Sequence, residues 1–181
     1  MSRVRVPVAV RDCPEWRFPG SHSGANVVGV CDMYSISCFR PFIEERAAVL
    51  AITGFLHSKI VLYVGDSKSG DLLTGHGYGP EFAAWQAAGL VVLKRVRRDK
   101  TASTTTDSDE LDEREICHQA LCEELYKEER VITRVWLRRA RFYVCGTHRF
   151  VGRVTEVLTV MRDRWTRRNE AREGDWAAGK G

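Results

Sequence analysis

The residue of this sequence that could most directly do chemistry is Cys145. It lies in the stretch 141–147, where a short apolar run of Phe, Tyr and Val is followed by Cys-Gly-Thr. An amphipathic helical pattern begins a few residues later, and Thr147 is a plausible N-cap for it. The pattern predicts a buried strand that ends with a thiol beside a helix, where open α/β sheets bind ligands. The spacing alone favours a simpler interpretation, a small buried cysteine.

A basic cluster at residues 94–98 ends another apolar run and could bind an anion. Paired guanidinium groups such as those of Arg97 and Arg98 match the geometry of a phosphate, for example the 2′-phosphate of NADP(H). The alternative is a solvated run of charges that is balanced by the acidic stretch 107–115. The charges alone favour this alternative.

Three other places hold residues that could contribute to a site. The turn at 31–38 stands where a dinucleotide-binding fold needs glycine, and it contains none, so phosphate binding is not predicted there. Cys117 and His118 are adjacent in a helical pattern, which favours a structural role over a catalytic pair. Trp176 stands in a polar stretch that either packs back on the domain or brings the ring over a planar ligand.

The composition is typical of a soluble globular protein with one domain. The chain has 181 residues, of which 44% are hydrophobic and 29% charged, with a net charge of +4 and six cysteines. No apolar run reaches the length of a membrane span and no secretory pattern is present, so we expect a cytoplasmic, intracellular protein. The cysteine spacing argues against a zinc site and against disulfides. The modest charge does not indicate a nucleic-acid partner.

Strands and helices alternate along the chain. Continuously apolar runs predict buried strands at 27–30, 59–64, 90–96 and 142–144. Helical patterns follow them at 42–50, 81–88, 111–137 and from 150 to 161. An edge strand is predicted at 4–10 and a surface insertion at 99–110. This order predicts an α/β fold, a three-layer, doubly wound parallel sheet of the Rossmann-like kind with right-handed crossovers.

Two of the helical patterns predict which side of the helix faces the core. In the first helix Arg46 is expected near the outside, beside Glu44 and Glu45. In the last pattern the inward residues, at helical spacing, are Phe150, Val154, Val157, Leu158 and Met161.

Five segments, in this order, resemble a known family: 14–19, 39–47, 62–65 with 71–73 and 81–82, 143–146, and 174–177. Tyr143-Val144-Cys145-Gly146 is similar to the family's Tyr-Val-Cys-Gly strand end, and Gly174-Asp175-Trp176-Ala177 resembles its C-terminal Asp-Val-Trp. The family is the C-terminal NADP(H)-binding module of ferredoxin–NADP reductase-type flavoproteins. Within it, the sequence resembles the diflavin NADPH–haemoprotein (cytochrome) reductases, including those fused to haem-thiolate monooxygenases.

The resemblance implies a function and a domain arrangement. NADPH would pass hydride to FAD, and electrons would continue to a haem protein. The FAD- or FMN-binding domain would come from a partner or from a longer parent. Residues 1–24 would be a connecting segment left from a flavin domain, residues 25–166 the NAD(P)-binding domain, and residues 167–181 a tail with a flavin-shielding tryptophan.

The resemblance also implies roles for individual residues. Cys145 would position the nicotinamide and Asp175 would steady the developing charge, so these two are the predicted catalytic residues. Trp176 would stack on the flavin. The other predicted cofactor-binding residues are Arg97, Arg98, His118, Gly146 and Thr147, and no metal ligand is predicted.

At three places the sequence departs from the family's pattern. Met33-Tyr34-Ser35 stands in place of a Gly-Thr-Gly turn, Gly65-Asp66-Ser67 in place of Gly-Cys-Arg, and Ile116-Cys117-His118 in place of Tyr-Val-Gln. The first change crowds the pyrophosphate position, and the second adds a negative charge near the phosphates. An alternative function therefore stays open, a truncated and catalytically inactive nucleotide-binding or protein-interaction domain of the same fold.

Overall fold

A computed structural model describes residues 26–56, 58–66, 79–97, 113–137 and 140–177. Its strands are β1 (Val27–Asp32), β2 (Ile60–Gly65), β3 (Val91–Val96) and β4 (Arg141–Cys145). Its α-helices are α1 (Arg40–Thr53), α2 (Gly79–Ala87), α3 (Glu113–Lys127), α4 (Glu129–Leu137) and α5 (His148–Ala177). A 3₁₀ helix, Met33–Phe39, joins β1 to α1. The predicted connecting segment at 1–24, edge strand at 4–10 and insertion at 99–110 lie outside the described residues.

The strands form one parallel sheet in the order β3-β2-β1-β4, with β1 between β2 and β4. Every residue of β1 is buried, because helices cover both faces of the sheet. Alternate side chains of β1 point to opposite faces: Val27 and Cys31 pack in one apolar cluster, and Val28 and Val30 in the other. The predicted fold class, a three-layer, doubly wound parallel α/β fold, is confirmed.

Each helical layer buries an apolar stripe against the sheet. On the first face the 3₁₀ helix, α1 and α2 contribute Phe39, Ile43 and Phe82. On the second face α3 and α4 contribute Leu121, Leu125 and Ile132. The stripe predicted for the last helix is confirmed, because all its members are buried there: Phe150, Val154, Val157, Leu158 and Met161.

The segment expected as a turn at 31–38 is largely helical. The strand β1 continues to Asp32, and the 3₁₀ helix follows at once. The Asp32 carboxylate caps this helix, because its Oδ1 accepts a hydrogen bond from the Ser35 N–H at 2.9 Å. Met33 and Ile36 anchor the helix in the core.

The long helix expected at 111–137 is two helices, and Glu128 stands at the break between α3 and α4. The Glu128 carboxylate accepts hydrogen bonds from the Tyr63 hydroxyl at 2.5 Å and from the Lys94 ammonium group. Burial alone would raise the pKa of Glu128, but these hydrogen bonds lower it. Glu128, at the break between α3 and α4, therefore links this helical layer to β2 and β3.

The expectation that Arg46 lies near the outside is wrong, since it is only 4% exposed. Arg46 follows Ile43 by three residues, so it belongs to the same face of α1 as the buried stripe. Burial lowers the pKa of its guanidinium group.

The helix α5 extends much further than the pattern ending at residue 161 predicts. Residue 167, where a tail is expected to begin, lies within this helix, which ends at Ala177. The stretch after residue 166 contains no proline, and it is rich in Arg, Glu and Ala, which favour helix. The predicted boundary between domain and tail therefore falls inside a continuous helix.

Gly29 in β1 has a specific packing role. A Cβ atom at this position would lie 2.4 Å from Leu62 Cδ2 and 2.6 Å from Phe39 Cε1. We expect Gly29→Ala to lower the free energy of unfolding by about 1–3 kcal/mol through overpacking. Gly152→Ala is the matched control, because a Cβ there meets nothing within 4 Å. Gly152 lies in the second turn of α5, where the change to alanine should raise stability by up to about 1 kcal/mol. Urea denaturation of both variants checks this, and equal effects would contradict it.

Candidate functional site

The strand order reverses beside β1. The chain proceeds from β1 to β2 and β3 on one side and then returns to place β4 on the other side. In doubly wound sheets, ligands bind outside the carboxyl ends of the strands at this reversal, the switch point. Cys31 of β1 and Cys145 of β4 are register partners at these ends. Cys145 therefore lies where the sequence predicts it, at a strand end at the switch point.

Three thiols gather at this edge of the sheet. Cys31 and Cys145 are buried, and Cys38 on the 3₁₀ helix is exposed. Burial raises the pKa of Cys145 to about 12, with smaller effects from its hydrogen bond with the Cys38 thiol and from the charge of Asp32. Burial also raises the pKa of Cys31. Both buried thiols are protonated at neutral pH, so neither is an activated nucleophile.

The thiols do not form a metal site. Across the described parts of the chain, no group of three or more His, Cys, Asp or Glu side chains is arranged to hold a metal ion.

His118 reaches the same edge from α3. It is buried, and its ring lies against that of Phe150, with centroids 4.5 Å apart and a tilt of 40° between the planes. Its Nε2 is 4.0 Å from Asp32 Oδ2. The structure thus brings His118 to the switch point, between the start of α5 and the end of β1. Its predicted contact with a cofactor stays a prediction.

The start of α5 fixes Gly146 and Thr147. The Thr147 hydroxyl accepts a hydrogen bond from the Phe150 N–H at 3.3 Å, which confirms the predicted N-cap. A Cβ on Gly146 would lie 2.4 Å from Phe150 Cδ1, so only glycine leaves room for that ring. The backbone from Cys145 to Thr147 is therefore held by the same Phe150 that supports His118.

The predicted phosphate ligand Arg97 lies at the other end of this edge, beside β2 and β3. Its Nε is 2.5 Å from Asp66 Oδ2, and Arg95 Nη2 is 2.6 Å from the same oxygen. The Asp66 side chain has no exposed surface. Arg97 is thus engaged in an internal ion pair. Arg98 lies outside the described residues.

Asp175 and Trp176 lie in the last turn of α5. Their side chains lie outside the described part of the structure. At 1.5 Å per residue, the helix carries their backbone about 40 Å from its start beside Cys145. The structure therefore does not bring Asp175 and Trp176 to Cys145, and for them to meet there the end of α5 would have to unwind and fold back.

Sequence reasoning missed Asp32 and Cys38 as members of this edge. Asp32 carries a recognisable signal, since an aspartate at the end of a strand and three residues before a serine fits an N-cap. The resemblance places the negative charge of Asp66 near the phosphates, but it does not predict the pairing of Asp66 with Arg97. Cys38 lies 107 positions from its partner Cys145, and no spacing rule connects the two.

No protein-family model and no curated protein matches the sequence. Among solved structures, the fold is similar to ferredoxin–NADP+ reductase from Plasmodium falciparum, with a TM-score of 0.58 and 14% sequence identity. That match covers 84% of this chain and 56% of the reductase chain. A point mutant of the same reductase gives a TM-score of 0.54 and 15% identity, covering 80% and 51%. This chain therefore spans little more than half of the reductase.

The chain has a ferredoxin-reductase-like α/β fold. At this level of identity the likeness concerns the fold alone. It agrees with the reductase-type resemblance of the sequence motifs at the level of architecture. Among the helices of the described ranges, none combines the length and apolar character needed to cross a membrane.

The burial of Cys145 has a measurable consequence for its reactivity. In the ferredoxin-reductase-like fold it should react with iodoacetamide about 100-fold more slowly than exposed Cys38 at early times, because alkylation requires an accessible thiolate. The difference between the two rates should persist when the pH is raised from neutral to about 9, because Cys145 stays almost entirely protonated until the pH approaches 12. Mass spectrometry measures both rates, and urea-unfolded chain is the control in which the rates converge. Equal rates in the folded protein would contradict the assignment.

Proposed function

We propose that this chain is the NADPH-binding module of a flavoprotein oxidoreductase, of the NADPH–haemoprotein reductase type. One observation carries the proposal: Cys145, Gly146 and Thr147 lie at the switch point of a ferredoxin-reductase-like sheet. The motifs that surround them in sequence resemble those of the same enzymes. FAD would belong to another domain or a partner chain, and a haem protein would receive the electrons.

The residues at the switch point fit the nicotinamide end of such a cofactor. A bound reduced nicotinamide supplies the hydride. The chain's own part is to hold the ring: Cys145 offers a neutral, polarizable thiol, and Gly146 lets the backbone turn closely over Phe150. Thr147 caps the first turn of α5, and this hydrogen bond holds the strand end and the helix start in a fixed geometry. His118 closes the edge between Phe150 and Asp32.

The phosphate end fits less well, and this favours a second candidate function. A helix that follows the first strand normally offers free N–H groups to a pyrophosphate. Here the Ser35 N–H already donates to Asp32 Oδ1, so the chain's own carboxylate takes the place of an anion. This cap supports the alternative, a catalytically inactive nucleotide-binding or protein-interaction domain.

Calorimetric titration with NADPH and with NADH tests whether the chain binds a nucleotide. Binding of either dinucleotide, with a dissociation constant of about 1 mM or lower, supports a nucleotide-binding module, and reduction of a FAD-loaded flavin domain then separates an active module from an inactive one. Absence of detectable binding of both at millimolar concentration would leave a protein-interaction domain as the function.

Cys145→Ala tests the role of the thiol. We expect its affinity for the dinucleotide to stay within about twofold of the wild type, because the thiol is not charged. Mixed with a FAD-loaded flavin domain, it should reduce the flavin about tenfold more slowly, because the nicotinamide is less well aligned. Stopped-flow absorbance of the flavin measures this rate. Cys122→Ala, a half-buried thiol on α3, is the control and should behave as wild type. Lost affinity with an unchanged rate would refute the positioning role.

A further inference from the structure

Asp66 is a buried carboxylate at the carboxyl end of β2. Its backbone N–H donates to the Val96 carbonyl at 3.0 Å, which fixes it against β3. Its Oδ2 accepts from Arg95 Nη2 at 2.6 Å, Arg95 Nε at 3.2 Å and Arg97 Nε at 2.5 Å. Its Oδ1 is buried and accepts no hydrogen bond within the described ranges. Oδ2 thus accepts three hydrogen bonds from guanidinium groups, and Oδ1 is still able to accept one.

The two arginines would otherwise form a phosphate site. They extend from positions two residues apart in β3 and just beyond it, so both point to the same side of the strand. Two converging guanidinium forks match the oxygens of a phosphate. Their side chains remain 29% and 47% exposed, so the pair is accessible from outside. Asp66 occupies the position that the anion would take.

The position of Asp66, Arg95 and Arg97 in the fold relates them to recognition of the nucleotide's 2′ position. In dinucleotide-binding sheets, an acidic residue beyond the first turn accepts a hydrogen bond from the 2′-hydroxyl of the adenosine ribose, whereas a nearby arginine accommodates a 2′-phosphate. Here the acid and the arginines are both present and are paired with each other. A doubly charged phosphate would have to displace the buried Asp66 carboxylate, which cannot reach water. The phosphate and the carboxylate would also repel each other.

We infer that Asp66 determines the specificity of the nucleotide site: it masks Arg95 and Arg97 and selects a nucleotide with a free 2′-hydroxyl over a 2′-phosphorylated one. The inference rests on the proposed function as a dinucleotide-binding reductase module and revises one part of it, because it makes NADH rather than NADPH the preferred dinucleotide. It assigns Arg97 to the internal ion pair and not to the 2′-phosphate.

The test compares the wild-type chain with Asp66→Asn by calorimetry, with 2′-phospho-AMP and with 5′-AMP as probes. The ratio of the two affinities should shift towards 2′-phospho-AMP by about tenfold or more in the variant, because the negative charge that repels the 2′-phosphate is gone. Asp163→Asn is the matched control. It removes one carboxylate at the surface, where Asp163 pairs with exposed Arg162, and should leave the ratio unchanged. An unchanged ratio in Asp66→Asn overturns the inference.

A second measurement needs no variant, so it tests the predicted preference for NADH even where Asp66→Asn fails to fold. The wild-type chain should bind NADH about tenfold more tightly than NADPH. Tighter binding of NADPH would overturn the inference while leaving the proposed function intact.

A third measurement is independent of nucleotide binding. Where neither protein binds any nucleotide, the proposed function fails, and inorganic phosphate then tests the masked arginine pair. Phosphate should raise the unfolding midpoint of Asp66→Asn by about 2 °C or more relative to chloride of equal ionic strength, and should not stabilise the wild type in this way. Equal shifts in the two proteins would overturn the masking of Arg95 and Arg97.

Discussion

The burial of β1 on both faces is the constraint from which the rest of the structure follows. A strand without solvent on either side must satisfy its backbone groups through its neighbours, and β1 pairs along its length with β2 and with β4. This central position sets the strand order and brings the end of β4 beside the end of β1. The adjacency of Cys31 and Cys145, and the approach of His118 to Asp32, are consequences of that order.

At the carboxyl edge of the sheet, the described donors that could attract an anion already bind carboxylates of the chain. Asp32 is bound by a helix N-terminus and Asp66 by two guanidinium groups, so the donors expected to attract an anion already hold one from the chain itself. Cys145, Gly146 and Thr147 contact uncharged groups, namely the Cys38 thiol and Phe150. The two ends of the candidate site thus differ: the contacts at one end are uncharged, whereas at the other end two guanidinium groups share one buried carboxylate.

The sequence predicts those features that depend on neighbours along the chain. The four strands, the stripe of α5 from Phe150 to Met161 and the Thr147 cap depend on local periodicity, and the structure has all of them. The break at Glu128 depends on Tyr63 and Lys94, and the pairing of Arg97 on Asp66, which are contacts across the sheet that no local pattern encodes. The pattern does not predict the full length of α5, because the polar, charged stretch after residue 166 has no apolar periodicity, although its residues favour helix.

The length of α5 gives its two halves different physical support. Up to Met161 the helix is anchored by buried apolar side chains. Further along, the described contacts with the domain are ionic: Arg164 and Arg168 lie 3.5 and 3.4 Å from the Glu129 carboxylate, and Arg164 also stands over the Tyr126 ring. Such exposed pairs weaken as mobile ions screen them, whereas apolar contacts do not. Added salt should therefore weaken the described contacts of the second half of α5 more than those of the first half, which pairs Arg149 and Arg153 with Glu115 but is also held by buried apolar side chains.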